Sequence, residues 1–349
     1  MNIATLGIDL AKNVFELAVA DSGGRIRAHH RLSRARLLPF FSNLPHCRVV
    51  MEACGSAHHF ARRFSELGHD VMLLPAQYVR AYVRRNKTDR ADAAALIEAA
   101  RCADIHPVPI KSVDQQAIQQ LHRLRTQWMR TRTARINLLR GMLREFGIAI
   151  ALGAVRAIEQ VRRQLAAPDG TVPAALQPSL TELLAEIAAL EQRCTHIERQ
   201  LRSLTQHDAV VQQLLGIPGV GPLTATAMRA ALVDVHRFPS GRHLASWLGL
   251  TVREHSSGER RRLGRISKQG DPYLRTLLIH GARAVLNAAQ TARRRGQSPD
   301  RLRSWALSTH ERCGHNKAAV ALANKLARII WATWKHERTF NANWVPTTA

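Results

Sequence analysis

Leu180, Leu183, Ile187, Leu190, Cys194, Ile197, Leu201 and Leu204 recur at alternating steps of three and four residues. That spacing returns an apolar side chain to one helical stripe every 3.5 residues, the pattern of a coiled-coil seam. It commits 180–204 to one unbroken helix of about 37 Å, at roughly 1.5 Å per residue. Such a stripe must be buried against another helix. Residues 112–146 offer one, with Ile118, Leu121, Leu124, Trp128, Ile136, Leu139, Leu143 and Phe146 at mostly heptad-like steps. The Pro/Gly-containing stretch 147–178 separates the two. The spacing therefore predicts either a helical hairpin or an arm that pairs with a second copy.

The first 105 residues follow a different rule. Residues 3–9 form a buried apolar run, and 13–20 alternate like a half-buried strand. Asp21-Ser-Gly-Gly24 supplies a hairpin turn into 25–31. Residues 48–52 predict a short strand, 56–67 a helix closed by Gly68, and 71–74 a strand stopped by Pro75. Thr88 is placed to cap a helix over 89–101. A hairpin sheet followed by strand–helix alternation is compatible with a ribonuclease H-like domain. The chain thus divides into an α/β region over 1–108, a helical coiled-coil region over 109–207 and a mostly helical region over 208–349.

Charge narrows the partners. The 349 residues hold 51 Lys+Arg against 26 Asp+Glu, a formal charge of +25. From Thr205 onward there are 22 Lys+Arg and 8 Asp+Glu. Such a surface attracts polyanions, and its excess of arginine over lysine suits bidentate phosphate contact. No amphipathic basic helix stands out at either terminus, so nucleic acid is favoured over a membrane surface. No apolar run approaches the roughly 20 residues of a membrane span, and no cleavable leader is evident. Five cysteines, an odd number with no C-x-x-C pair, predict reduced thiols in a cytoplasm, without a zinc site or disulfide framework.

Against this basic background four acids stand out. Asp9 interrupts the apolar run around Gly7-Ile-Asp-Leu, and Glu52 ends Arg48-Val-Val-Met-Glu52. Asp89 and Asp92 are three apart, so both project from one face of the predicted helix near its start. A helix N-terminus accommodates either of those two through its dipole. It does not account for Asp9 and Glu52. Carboxylates gathered together repel one another unless a cation offsets them, and hard oxygen donors suit Mg²⁺ or Mn²⁺. The four are candidate ligands of such an ion.

Three further motifs carry chemistry. Gly216-Ile-Pro-Gly-Val-Gly-Pro222 joins a helix ending at Leu215 to one running to Leu232. It is either a plain turn or a helix-hairpin-helix whose N–H groups, around Gly219 and Gly221, hold a DNA phosphate. Glu254-His-Ser-Ser-Gly258 is followed by Arg260, Arg261, Arg262, Arg265 and Lys268. Alone, Ser-Ser-Gly is an ordinary loop; beside Arg253 and these cations, a serine there is a candidate nucleophile toward a phosphodiester. Residues 312–332 predict a helix with small residues on one side and Lys/Arg on the other. Lys12, Lys87, Arg123 and Arg130 complete the expected nucleic-acid contacts.

Taken together, Gly7-Ile-Asp-Leu-Ala-Lys-Asn-Val-Phe15, Met51-Glu-Ala-Cys-Gly-Ser56, Asn86-Lys-Thr-Asp-Arg-Ala-Asp-Ala93, Gly216-Ile-Pro-Gly-Val-Gly221, Ser256-Ser-Gly258 and Gly264-Arg-Ile-Ser-Lys-Gln-Gly-Asp271 resemble the DEDD transposases of bacterial insertion sequences. That group is related to the Piv invertases and distantly to the RuvC resolvase. The resemblance spans nearly the whole chain. It implies a RuvC-like catalytic domain in which Asp9, Glu52, Asp89 and Asp92 bind Mg²⁺ or Mn²⁺. It also implies a nucleophilic serine preceding a glycine, which is Ser257, with Ser256 as the register alternative. A guide RNA transcribed from the element, DNA as substrate, and a homo-oligomer (dimer or tetramer) are implied as well. A metal-dependent junction resolvase, a site-specific invertase, or a nucleic-acid scaffold without catalysis are the competing readings.

Overall fold

The computed structural model describes residues 4–82, 88–167 and 171–343. It separates into two compact units, one running to Ser112 and the other starting at Val113. The long helical segments and the C-terminal helices fall in the same unit.

The first unit contains β1 (Thr5–Asp9), β2 (Val14–Ala20), β3 (Ile26–Ser33), α1 (Arg34–Ser42), β4 (Arg48–Glu52), α2 (Ala57–Glu66), β5 (Asp70–Leu74), α3 (Ala76–Val79) and α4 (Asp89–Ala100). Its five strands are ordered β3-β2-β1-β4-β5. The β1, β2 and β3 strands pair antiparallel, while β4 runs parallel to both β1 and β5. Successive side chains of a strand point to opposite faces, and the two faces of this sheet have different occupants. Leu6 and Ile8 of β1, with Met51 of β4, pack with Phe41 of α1 and Phe60 and Phe64 of α2. On the opposite face Val50 packs with Leu96 and Ala99 of α4, and Ala18 and Ala20 of β2 meet Ala93 and Ile97. The sequence reading has no helix at α1. Pro39 lies inside it and only Leu37 and Phe41 are buried, too few apolar contacts to leave a periodic signal.

The second unit begins with α5 (Val113–Arg144), α6 (Ala154–Ala166) and α7 (Gln177–Thr205). Ion pairs Arg125–Glu198, Arg132–Glu191 and Arg135–Glu186 cross between α5 and α7. The partner number falls as the arginine number rises, so the helices are antiparallel. The arm is a hairpin within one chain, and its seam is covered internally. The seam also shifts from the heptad expectation. Leu184 and Thr205 are buried, whereas Leu204 is 62% exposed. A straight helix of 3.6 residues per turn completes five turns from Ile187 at Thr205, one residue past the heptad position. The stretch 147–178, expected as a separator, holds α6, which buries Ala157, Ile158 and Val161 over the end of the hairpin.

On α5 the sequence places Leu124 in the seam, yet Leu124 is exposed and His122 is buried instead. That half of α5 packs against the helix Pro222–Leu232 as well as α7. His122 Nε2 lies 3.0 Å from Thr226 Oγ1, and Nδ1 lies 2.9 Å from the Tyr273 hydroxyl. Thr226 Oγ1 donates to the Pro222 carbonyl at 2.7 Å. It must then accept from Nε2–H, which leaves Nδ1 to accept from Tyr273.

The unit continues with α8 (Ala209–Leu215), α9 (Pro222–Leu232), α10 (Gly241–Trp247), β6 (Val252–Glu254), β7 (Leu263–Ile266), α11 (Pro272–Arg294), α12 (Arg301–Cys313) and α13 (His315–Lys335). Met228, Leu278, Ala282, Leu322, Leu326 and Ile330 are fully enclosed at the centre of its core. The helix expected over 312–332 is broken at Gly314, whose φ of +81° ends α12 and starts α13. No described helix is long and apolar enough to cross a membrane, and all five cysteines are free thiols.

Candidate active site

Strand alternation sends Gly7 and Asp9 to the same face as Val50 and Glu52. Parallel pairing sets Gly7 beside Val50 and Ile8 beside Met51, so Asp9 and Glu52 end neighbouring strands on the side that α4 covers. The approach of α4 is close. A Cβ added at Gly7 would lie 2.2 Å from the Ala93 carbonyl oxygen, so any side chain there would push the helix away. Thr88 caps α4 by accepting the Ala91 N–H at 3.2 Å. This fixes the first turn, with Asp89 and Asp92, beside the end of β1.

One oxygen from each of Asp9, Asp89 and Asp92 lies within 4.8 Å of the other two. Asp89 is exposed, while Asp9 and Asp92 are half-buried. Asp92 Oδ1 is itself buried and has no hydrogen-bond partner. A buried carboxylate oxygen without a donor is the atom that a cation would satisfy, and three hard oxygen donors fit Mg²⁺ or Mn²⁺. Glu52 stands outside this set of three. Both Glu52 and Asp9 act on Cys54, where burial first, and then the charges of Glu52 and Asp9, raise the thiol pKa.

The serine motif is a hairpin rather than an unstructured loop. β6 and β7 pair antiparallel, and a bridge between Ser257 and Arg260 closes the tip. Gly258, with φ of +55°, takes the first central position of the two-residue turn, as a II′ hairpin turn requires. Every residue from Val252 to Arg265 is exposed. The two serines differ in their commitments. Ser256 Oγ donates to Glu254 Oε1 at 2.7 Å and accepts the Arg262 N–H at 3.1 Å. Ser257 is held through its backbone, its N–H reaching the Arg260 carbonyl at 3.3 Å. Sequence reasoning assigned no role to Glu254, although its i, i+2 spacing from Ser256 on a strand puts both on one face.

The expected basic contacts are distributed over both units. Lys12 is exposed, and its carbonyl accepts from Arg34 Nη1 at 3.2 Å. Lys87 lies outside the described residues. Arg123 and Arg130 are exposed on α5, whereas Arg125, Arg132 and Arg135 are engaged by acids of α7. On the hairpin, Arg253 donates to the Ser267 carbonyl at 2.9 Å and Arg261 lies 3.4 Å from Glu254. Arg260, Arg262, Arg265 and Lys268 are exposed. Gly219 has a second duty: its φ is +83°, and a Cβ there would meet the Gly281 carbonyl at 2.7 Å. Packing against α11 is therefore enough to require glycine at 219. At Gly221, just before α9, a Cβ would meet open space.

The chain is similar to known proteins over most of its length. The DEDD family model described as "Transposase" matches residues 6–148, and the model "Transposase IS116/IS110/IS902 family" matches residues 211–297. A probable family 20 transposase from Pseudomonas aeruginosa is 43% identical over 341 residues, covering 97% of this chain and 99% of that protein. The transposase for insertion sequence element IS1111A from Coxiella burnetii is 39% identical, covering 97% of this chain and 92% of its own. The transposase for element IS1328 from Yersinia enterocolitica is 36% identical, with 97% and 99% covered. The chain belongs to the IS110/IS116 family of DEDD insertion-sequence transposases, enzymes that act on DNA.

Proposed function

We propose that this transposase cuts and rejoins DNA strands through a covalent phosphoserine link formed by Ser257, assisted by a divalent cation at the N-terminal acids. The observation that carries the reading is the convergence of Asp9, Asp89 and Asp92 around an unpartnered buried oxygen of Asp92. Glu52, at the end of the adjacent parallel strand, is the fourth acid of the set. The sheet order and the helix over β1 and β4 suit a ribonuclease H-like (RuvC-like) domain. A bound Mg²⁺ or Mn²⁺ would supply positive charge to a phosphate whose oxygens become more negative during the reaction.

The protein's own groups account for the rest. Ser257 Oγ forms a bond to phosphorus while the bond from phosphorus to one sugar oxygen breaks; the proton passes to that oxygen, giving a free sugar hydroxyl. In rejoining, a sugar hydroxyl attacks the phosphoserine and Ser257 is released. Ser256 is tied to Glu254 and Arg262, which favours Ser257 as the nucleophile. Arg253, Arg260, Arg262, Arg265 and Lys268, on the same hairpin and its flank, are the cations that would steady the phosphate. The glycine turn at Gly219 and Gly221 and the exposed Lys12, Arg123 and Arg130 contact the backbone elsewhere. A guide RNA from the element and assembly into a dimer or tetramer belong to the same proposal and rest on the family resemblance.

Trapping tests it. Element-end DNA and the flanking transcript, incubated with the full chain and Mg²⁺ or Mn²⁺, yield a protein–DNA adduct that survives denaturation. The adduct is retained in Ser256→Ala and absent in Ser257→Ala and in Asp9→Ala. Full strand cleavage by Ser257→Ala would instead identify water as the attacking group, as in a resolvase.

A further inference from the structure

A cluster of cations lies outside both the serine hairpin and the acid site. On α12 and α13, Lys325 Nζ stands 4.4 Å from the centre of the Trp305 ring. Arg301 and Arg328 are close enough to act on Lys325 electrostatically, and both guanidinium side chains are exposed. Burial is the larger cause, and these two arginines the next, of a Lys325 pKa held below the usual lysine value. Among the described residues no carboxylate lies within ion-pair distance of Lys325, and the nearby Asp300 is taken by Arg303 at 2.6 Å. Holding Lys325 and Arg328 together, three apart on one helix face, costs the fold energy that a polyanion would recover. The Trp305 face fixes the ammonium by a cation–π contact, so the ring is covered and not open for base stacking. The placement matters too. Asn324, next to Lys325, donates to the Leu250 carbonyl at 3.1 Å, two residues before β6. The helix that carries Lys325 and Arg328 is thereby tied to the segment leading into the serine hairpin.

We propose that Arg301, Lys325 and Arg328, with Trp305 as the support of Lys325, form a sequence-independent docking surface for the phosphate backbone of the DNA on which the hairpin acts. It rests on the reading of the chain as a DNA-cleaving transposase. None of these residues falls within the segments matched by the family models. DNA is favoured over RNA because this chain belongs to a family of enzymes acting on DNA and the covered ring offers nothing to an unstacked base.

The test is equilibrium binding of the full chain to duplex DNA, without divalent ions so that strand cleavage does not enter, across a series of salt concentrations. Lys325→Gln with Arg328→Gln lowers affinity about tenfold or more near physiological salt and reduces the salt slope by about two, one per lost phosphate contact. Lys325→Arg retains binding, and Arg162→Gln, the loss of an exposed cation on α6, leaves the slope within about one of wild type. Should the double variant melt early, Arg301→Gln with Arg328→Gln, both exposed, carries the same expectation. An unchanged slope in folded variants, or a loss confined to a single-stranded RNA probe, overturns this proposal alone. A wild-type chain that binds no duplex DNA overturns it together with the proposed function.

Discussion

Asp92 keeps one carboxylate oxygen buried with no donor, and an unsatisfied buried acceptor costs about 1–3 kcal/mol. A fold keeps such a cost where something outside the chain offsets it. Asp92→Ala is therefore expected to melt at or above the wild-type temperature in chelator, because the unpaired group is gone. Mg²⁺ or Mn²⁺ added at about 100 times its dissociation constant stabilises the wild type by roughly 2.7 kcal/mol, and the variant by little. Thermal melts with and without the ions check this, and a wild type indifferent to both would count against the acid cluster as a metal site. Gly7 belongs to the same scale. The oxygen it faces on Ala93 allows no methyl group, so the position of the acids depends on a residue that carries no chemistry.

At the scale of elements, the helical hairpin separates what sequence reveals from what it hides. Apolar spacing identified α5 and α7, short apolar runs identified β1, β4 and β5, and alternation identified β2, because each pattern follows from how its element is buried. The failures have two causes, contact from a third element and the true period of the helix. His122 replaced Leu124 in the interior because α9 and α11 set that surface. Thr205 replaced Leu204 because the helix stays close to 3.6 residues per turn. The three aspartates could be named from their types and spacing, but their meeting depends on the sheet register and on Gly7, which no local pattern displays. The engagement of Ser256 by Glu254 was invisible until the hairpin closed. The seam correction is measurable. Leu184→Ala is expected to destabilise the protein by about 2–4 kcal/mol, while Leu204→Ala stays within about 0.5 kcal/mol. Denaturant unfolding of the two variants decides it, and equal losses would restore the heptad register.

For the molecule as a whole, the buried His122 and the half-buried His58 make stability fall in acid. Burial lowers the His122 pKa to about 4, and burial with Lys111 nearby lowers His58 to about 4. The unfolded chain takes up these protons near pH 6.5, and the folded chain resists until near pH 4. Their contribution is thus complete above about pH 6.5 and is lost as pH falls toward 4. For His122 the full change is on the order of 3 kcal/mol. His122→Gln should flatten the dependence of unfolding free energy on pH between 7 and 4; an unaltered slope would refute the assignment. The segment bearing Ser257 has the opposite character. Its fully exposed tip adds no side chain to either interior, so natural variation can lengthen, shorten or replace it without loosening the body that carries it. The proposed nucleophile is thus displayed by a projection whose loss the rest of its unit would survive.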